Sequence, residues 1–115
     1  MALSLIKTTD GVNIVRFQGK LVAASLDELK EFLENLPLSE PVVLNMKQVN
    51  IIDSISVGYL VTRYRAARKN GAQFKLANLH VSVQKMLSMA DLHRWFDIHE
   101  KEEDAVASIV ELPQA

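Results

Sequence analysis

The stretch Asn50-Ile51-Ile52-Asp53-Ser54-Ile55-Ser56-Val57-Gly58-Tyr59-Leu60 decides how this chain folds. It follows an apolar run at 41–46 that is typical of a buried strand, and it leads into an apolar stripe at helical spacing over 58–69. The Asp53-Ser54 pair therefore marks the point where a strand ends and a helix begins. A polar side chain there caps the first amide groups of the helix, and those amides also favour a negative charge. Ser54 is interpreted either as a simple helix cap or as an acceptor of phosphate.

The composition indicates an ordinary folded domain. The 115 residues are 49% hydrophobic, with 13 Lys and Arg against 14 Asp and Glu and a net charge of −1. This balance argues against nucleic acid as a partner, and the lack of cysteine excludes disulfides and thiolate metal sites. The sequence also lacks a signal peptide and any apolar run near the roughly 20 residues of a membrane span. We expect one domain over residues 1–115, a cytoplasmic location and no direct membrane contact.

The hydrophobic pattern predicts strands that alternate with helices. Asp10-Gly11 is a hairpin signal, and the predicted strands cover residues 4–8, 12–17, 41–46, 73–77 and 95–98. The predicted helices cover residues 24–36, 54–70, 81–89 and 102–112. Ser25 is expected to cap the first helix, with Glu28 completing a capping box. The order predicts an α/β fold with a mixed sheet, in which an antiparallel N-terminal hairpin precedes parallel strands and about four helices lie mainly on one face.

The sequence shows no motif for catalysis or for binding a metal or cofactor. Glycine-rich phosphate loops of the G-x-x-x-x-G-K and G-x-G-x-x-G types are missing. The three histidines, His80, His93 and His99, are scattered rather than placed at metal-ligand spacing. We therefore expect no enzyme activity, no cofactor and no metal site.

Five segments in the same order resemble the STAS domain family, named for sulphate transporters and anti-sigma factor antagonists. These segments are the strand Val42-Val43-Leu44-Asn45-Met46, then Ile52-Asp53-Ser54-Ile55-Ser56-Val57-Gly58, the turn and strand at 68–76, the helix at 81–92 and the helix start at 102–106. In the family, a strand is followed by Asp-Ser-[Ser/Thr]-Gly-Leu-Gly and a helix. The resemblance covers almost the whole chain and implies the mixed sheet of that family.

The resemblance also implies a non-enzymatic anti-sigma factor antagonist that works by phosphorylation-controlled partner switching. Bacterial antagonists of this family are phosphorylated on the serine after the motif aspartate, which by position is Ser54, with Ser56 as the second choice. The unmodified protein would bind an anti-sigma factor serine kinase of the GHKL type, the phosphoprotein would release it, and a PP2C-type phosphatase would reverse the modification. The expected partner-binding residues are Val22, Ala23, Ser25, Asp53, Ser54, Ile55, Ser56, Val57 and Arg63.

Departures from the family pattern leave other roles open. Ile55 and Ser56 replace the usual Ser or Thr and the usual Gly. The segment Gly19-Lys20-Leu21-Val22 lacks the aspartate that often lies near the phosphorylation site. An Asp-Ser pair followed by a bulky apolar residue also occurs in STAS proteins of large signalling assemblies. The alternatives are therefore a scaffold of a stressosome-like complex and a STAS subunit of a membrane transport system.

Overall fold

The computed structural model describes residues 2–110, which form one mixed sheet and four helices. The elements are β1 Ala2–Lys7, β2 Asn13–Gln18, α1 Ala23–Glu34, β3 Val42–Gln48, α2 Ser54–Lys69, β4 Phe74–Ala77, α3 Val81–Met89, β5 Asp97–His99 and α4 Glu102–Val110. The strands lie in the order β1-β2-β3-β4-β5. The β1–β2 pair is antiparallel and the other pairs are parallel. The predicted mixed α/β fold is confirmed.

The turn at Asp10-Gly11 produces the antiparallel pair. Gly11 has a φ of +86°, a conformation that residues with a Cβ atom rarely adopt. The Gly11 amide donates to the Thr8 carbonyl at 3.0 Å, which closes the turn. The hairpin signal in the sequence therefore acts as predicted.

Alternating side chains on the strands divide the core between the two faces of the sheet. In β3, Val42, Leu44 and Met46 belong to the larger cluster, which also contains buried leucines of α1, α2 and α3. Val43 points the other way and packs with Val12, Ala77 and Ala105 of α4. Three helices therefore cover one face and α4 covers part of the other, as expected for helices mainly on one face.

Glu102 attaches the first turn of α4 to β2, to β3 and to the residue that follows β4. Its carboxylate accepts hydrogen bonds from Arg16 at 2.7 and 3.0 Å and from Asn45 Nδ2 at 2.8 Å. Its backbone amide donates to Asn78 Oδ1 at 2.9 Å. The Arg16 guanidinium is the main reason that the pKa of this carboxyl is lowered from its ordinary value.

Most element boundaries differ from the prediction by one or two residues. Helix α1 starts at Ala23, so Ser25 is its third residue, and the Ser25 hydroxyl accepts a hydrogen bond from the Val22 amide at 3.2 Å. The prediction of Ser25 as the cap is wrong. Phe96 precedes β5 and packs edge-to-face on Tyr64 with 5.7 Å between ring centroids. The predicted end of the last helix at Leu112 lies outside the described residues.

Candidate phosphorylation site and partner surface

The segments that follow β2 and β3 run side by side at the carboxyl edge of the sheet. Leu21 and Ile52 form an isolated parallel bridge. The Leu21 amide donates to the Ile51 carbonyl at 2.9 Å, and the Asp53 amide donates to the Leu21 carbonyl at 3.2 Å. Because each segment leads directly into a helix, this pairing places the start of α1 beside the start of α2.

The Asp53 carboxylate caps both helices. Asp53 is the N-cap residue of α2, where its Oδ1 accepts from the Ser56 amide at 2.9 Å. Its Oδ2 accepts from the amide of Ala23, the first residue of α1, at 2.8 Å. The amide of Ser56, and next that of Ala23, lower the pKa of this carboxyl from its ordinary value because they stabilise the charged form.

Ser54 is the first residue of α2 and is exposed. Its hydroxyl forms no hydrogen bond with any residue from 2 to 110. Since Asp53 supplies the cap, the interpretation of Ser54 as a simple helix cap is wrong. An exposed hydroxyl without an internal partner at a helix start can accept a phosphoryl group without first breaking an internal contact.

Exposed aliphatic side chains lie around the start of α2. Ile55 is 61% exposed, Ile51 is 45% exposed and Val81 is 65% exposed. The Ser82 hydroxyl donates to the Asn50 carbonyl at 2.7 Å, which holds the start of α3 against the loop before Ser54. We call Ile51, Ile55 and Val81 the apolar patch. Ile51 and Val81 are not among the partner-binding residues predicted from the sequence. The only signal in the sequence was that each is an apolar residue outside the apolar stripe of a helix.

Ala23 is exposed beside this patch, while Val22 and Ser25 are half-buried. Together with Asp53, Ser54 and Ile55, these residues form one surface at the two helix starts. The pairing of Leu21 with Ile52 brings the two segments together there. Six of the expected partner-binding residues are therefore brought together.

The remaining three lie inside the protein. Ser56 is 0% exposed, Val57 is 2% exposed and Arg63 is 7% exposed. The expectation that these side chains are accessible to a partner is wrong, because they belong to the buried stripe of α2 that faces the sheet and α1. Arg63 donates to the Leu36 carbonyl beyond the end of α1 at 3.4 Å, and its Nε finds no acceptor within the described residues.

Comparison with known proteins identifies the family. A model of the STAS domain matches residues 4–105. The chain belongs to the STAS domain family. Among curated proteins, this STAS domain is 24% identical over 102 residues to an anti-sigma F factor antagonist of Paenibacillus polymyxa, with 86% of this chain and 87% of the relative covered.

Solved structures confirm the STAS fold. A putative anti-sigma factor antagonist from Thermotoga maritima has a TM-score of 0.85 at 21% identity, with 94% of each chain covered. The antagonist SpoIIAA in its unphosphorylated form has a TM-score of 0.78 at 19% identity, covering 98% of this chain and 100% of that one. The phosphorylated Bacillus SpoIIAA has a TM-score of 0.67 at 18% identity, covering 94% and 99%. At these identities the likeness establishes the fold alone.

The described part of this STAS domain contains neither a membrane-spanning helix nor a cluster of metal-ligating side chains. No helix there is both long and apolar enough to cross a membrane. Over the same residues, no three His, Cys, Asp or Glu side chains are grouped so that they could hold a metal ion.

Proposed function

We propose that this STAS domain is an anti-sigma factor antagonist whose binding to an anti-sigma factor is controlled by phosphorylation of Ser54. The observation that carries the proposal is the exposed, internally unbonded hydroxyl of Ser54 beside the apolar patch. The name of the Paenibacillus relative and the phosphorylated form of the Bacillus protein support it. The role is regulatory rather than enzymatic, in a single cytoplasmic domain.

The expected modification is transfer of the γ-phosphoryl group of ATP by a serine kinase of the GHKL type. A bond forms between Ser54 Oγ and the γ-phosphorus, the bond from that phosphorus to the bridging oxygen breaks, and ADP leaves. A base on the kinase takes the hydroxyl proton. A PP2C-type phosphatase would hydrolyse the ester and restore the serine.

The phosphate would weaken the complex through its charge. It adds about −1.5 to −2 charges at pH 7, directly after the ionised Asp53 and next to exposed Ile55. A partner that covers the apolar patch would have to desolvate this charge, which is costly without a paired cation. The unmodified protein would bind through the aliphatic side chains, and the phosphoprotein would be released.

Phosphate incorporation by the anti-sigma factor kinase tests the proposal. We expect intact-mass spectrometry to show one phosphate on the wild type and on Ser56→Ala, and none on Ser54→Ala. Ser56→Ala is the matched control because it removes a neighbouring hydroxyl of the same helix turn. Incorporation into Ser54→Ala at the wild-type level would overturn the proposal. So would a native pull-down that recovers only a larger STAS assembly or transporter subunits.

A further inference from the structure

The two helix starts at the proposed phosphorylation site share one anchor, the Asp53 carboxylate. It accepts the Ala23 amide of α1 at 2.8 Å and the Ser56 amide of α2 at 2.9 Å. We propose that Asp53 is a positioning residue that transmits modification of Ser54 to the first turn of α1, residues Val22–Ser25. This inference rests on the proposed function and adds a conformational step to it.

The start of α1 has no side-chain cap from its own N-cap residue, and its first amide is held by Asp53. The N-cap residue is Val22, whose side chain is purely aliphatic. The Ser25 hydroxyl accepts the Val22 amide at 3.2 Å, whereas the next amide, that of Ala23, reaches across to Asp53. A Ser, Thr, Asp or Asn at the cap position would accept from the amide of the second or third helical residue, whereas Ala23 is the first helical residue and needs an acceptor from outside α1. Here α1 takes its acceptor from α2.

A phosphate on Ser54 would act directly on this anchor. Ser54 follows Asp53 in the chain, so the phosphate and the carboxylate would compete for the same amide groups and repel each other. The amides of Ser56 and Ala23 lower the pKa of Asp53 in the unmodified protein. The repulsion would oppose the stabilisation of the charged carboxylate by these amides. It would weaken the contact with Ala23, which joins two helices, more than the contact with Ser56, which lies within one turn of α2.

The consequence is that phosphorylation changes two parts of the partner surface. The phosphate itself lies at the start of α2, beside the apolar patch. The loosened first turn of α1 carries exposed Ala23 and half-buried Val22 and Ser25, which belong to the same surface. A partner would therefore lose both the uncharged serine and the ordered α1 start against which it packs.

Amide hydrogen exchange on protein carrying phosphoserine at position 54 tests the coupling. The phosphoserine is installed during translation by an expanded genetic code, so no kinase is required. We expect exchange of the Ala23 amide to accelerate about tenfold or more relative to the unmodified protein, as in a local opening. Exchange at Ser56 should change much less, because its contact with Asp53 lies within one helix turn. Unchanged or slower exchange at Ala23 would overturn the proposal.

Asp53→Asn is the diagnostic variant. Its single amide oxygen can still accept the Ser56 amide, and Asn caps helices as well as Asp does, so α2 is retained. Its Nδ2 group is a donor and cannot accept the Ala23 amide. We expect fast exchange at Ala23 before modification and no further acceleration when phosphoserine is added. An equal acceleration in Asp53→Asn and in the wild type would show that Asp53 does not transmit the effect.

Asp10→Asn is the matched control. Asp10 is exposed in the β1–β2 turn, away from the two helix starts, and undergoes the same chemical change. It should preserve the full response of Ala23 to phosphoserine. Because the phosphate is installed without a kinase, failure of this coupling leaves the kinase assay on Ser54 unaffected. Conversely, absence of phosphorylation by the kinase would leave the exchange result valid.

Discussion

Ser54 and Ser56 lie two residues apart on the first turn of α2, and they face opposite environments. Ser54 is exposed, whereas Ser56 is 0% exposed and its Oγ has no hydrogen-bond partner within the described residues. Two residues correspond to a rotation of about 200° around a helix, so one side chain points to solvent and the other to the core. The folded protein therefore exposes the Ser54 hydroxyl to solvent and buries that of Ser56, as the role proposed for Ser54 requires.

Removal of either hydroxyl is predicted to leave the fold intact. Ser54→Ala should change the free energy of unfolding by less than about 0.5 kcal/mol, because an exposed hydroxyl without an internal partner is lost. Ser56→Ala should be neutral or slightly stabilising, because an unpaired buried polar group disappears. Urea unfolding of both variants measures these values. A loss of about 1 kcal/mol in Ser54→Ala would restore the interpretation of Ser54 as a helix cap.

Ser54→Asp is predicted to weaken partner binding while Ser54→Ala binds as the wild type does. The carboxylate places a negative charge next to Ile55 and Asp53, although it carries less charge than a phosphate. Isothermal titration with the purified anti-sigma factor should give the same affinity for the wild type and Ser54→Ala, and a lower affinity for Ser54→Asp. Equal affinities for all three proteins would contradict a charge-controlled interface.

Ile55→Ala should reduce partner affinity about tenfold without loss of stability, as truncation of an interface anchor does. Ile55 is 61% exposed, so little packing within the domain is lost. Leu38→Ala is the control, since Leu38 is an exposed aliphatic residue in the loop between α1 and β3. Both variants are compared in the same titration. Equal losses at Ile55 and Leu38 would mean that the apolar patch is not the contact.

Reversal of charge at Arg63 is predicted to destabilise the fold rather than to disturb the interface. Arg63 is 7% exposed, so a glutamate there would be a buried carboxylate facing the Leu36 carbonyl, at a cost of about 3 kcal/mol or more. Arg65→Glu is the control two residues away, where the guanidinium is exposed and lies 5.6 Å from the Trp95 ring centroid. Thermal unfolding should show a large loss for Arg63→Glu and a small one for Arg65→Glu.

Stability should fall in acid partly through Glu102. Its pKa is lowered from 4.5 by Arg16, so the carboxylate stabilises the fold above the unfolded pKa and loses this effect as the pH falls through the lower folded value. Glu102→Gln should cost about 1–2 kcal/mol at pH 7, as expected for hydrogen bonds to a charged group. The difference between variant and wild type should shrink below pH 4.5. A difference that does not vary with pH would contradict this role.

The order of the elements and the position of the candidate site could be predicted from the sequence. Asp10-Gly11 forms its turn locally, and the apolar periodicity of α2 is visible without tertiary information. The same is true of the position of Asp53-Ser54 between a strand and a helix. These features depend on residues near each other in the chain, so the local pattern is sufficient.

Only the tertiary structure decided which side chain does what at that site. The pairing of Leu21 with Ile52 joins segments 31 residues apart and brings the Ala23 amide to the Asp53 carboxylate. From the sequence alone, Asp53 and Ser54 are equivalent candidates for the cap of α2, and Ser25 is a candidate for the cap of α1. Likewise, Arg63 is buried because α1 ends over it, and charge alone predicts the opposite. Capping partners and burial are set by contacts between distant segments, which the periodicity of a single segment does not encode.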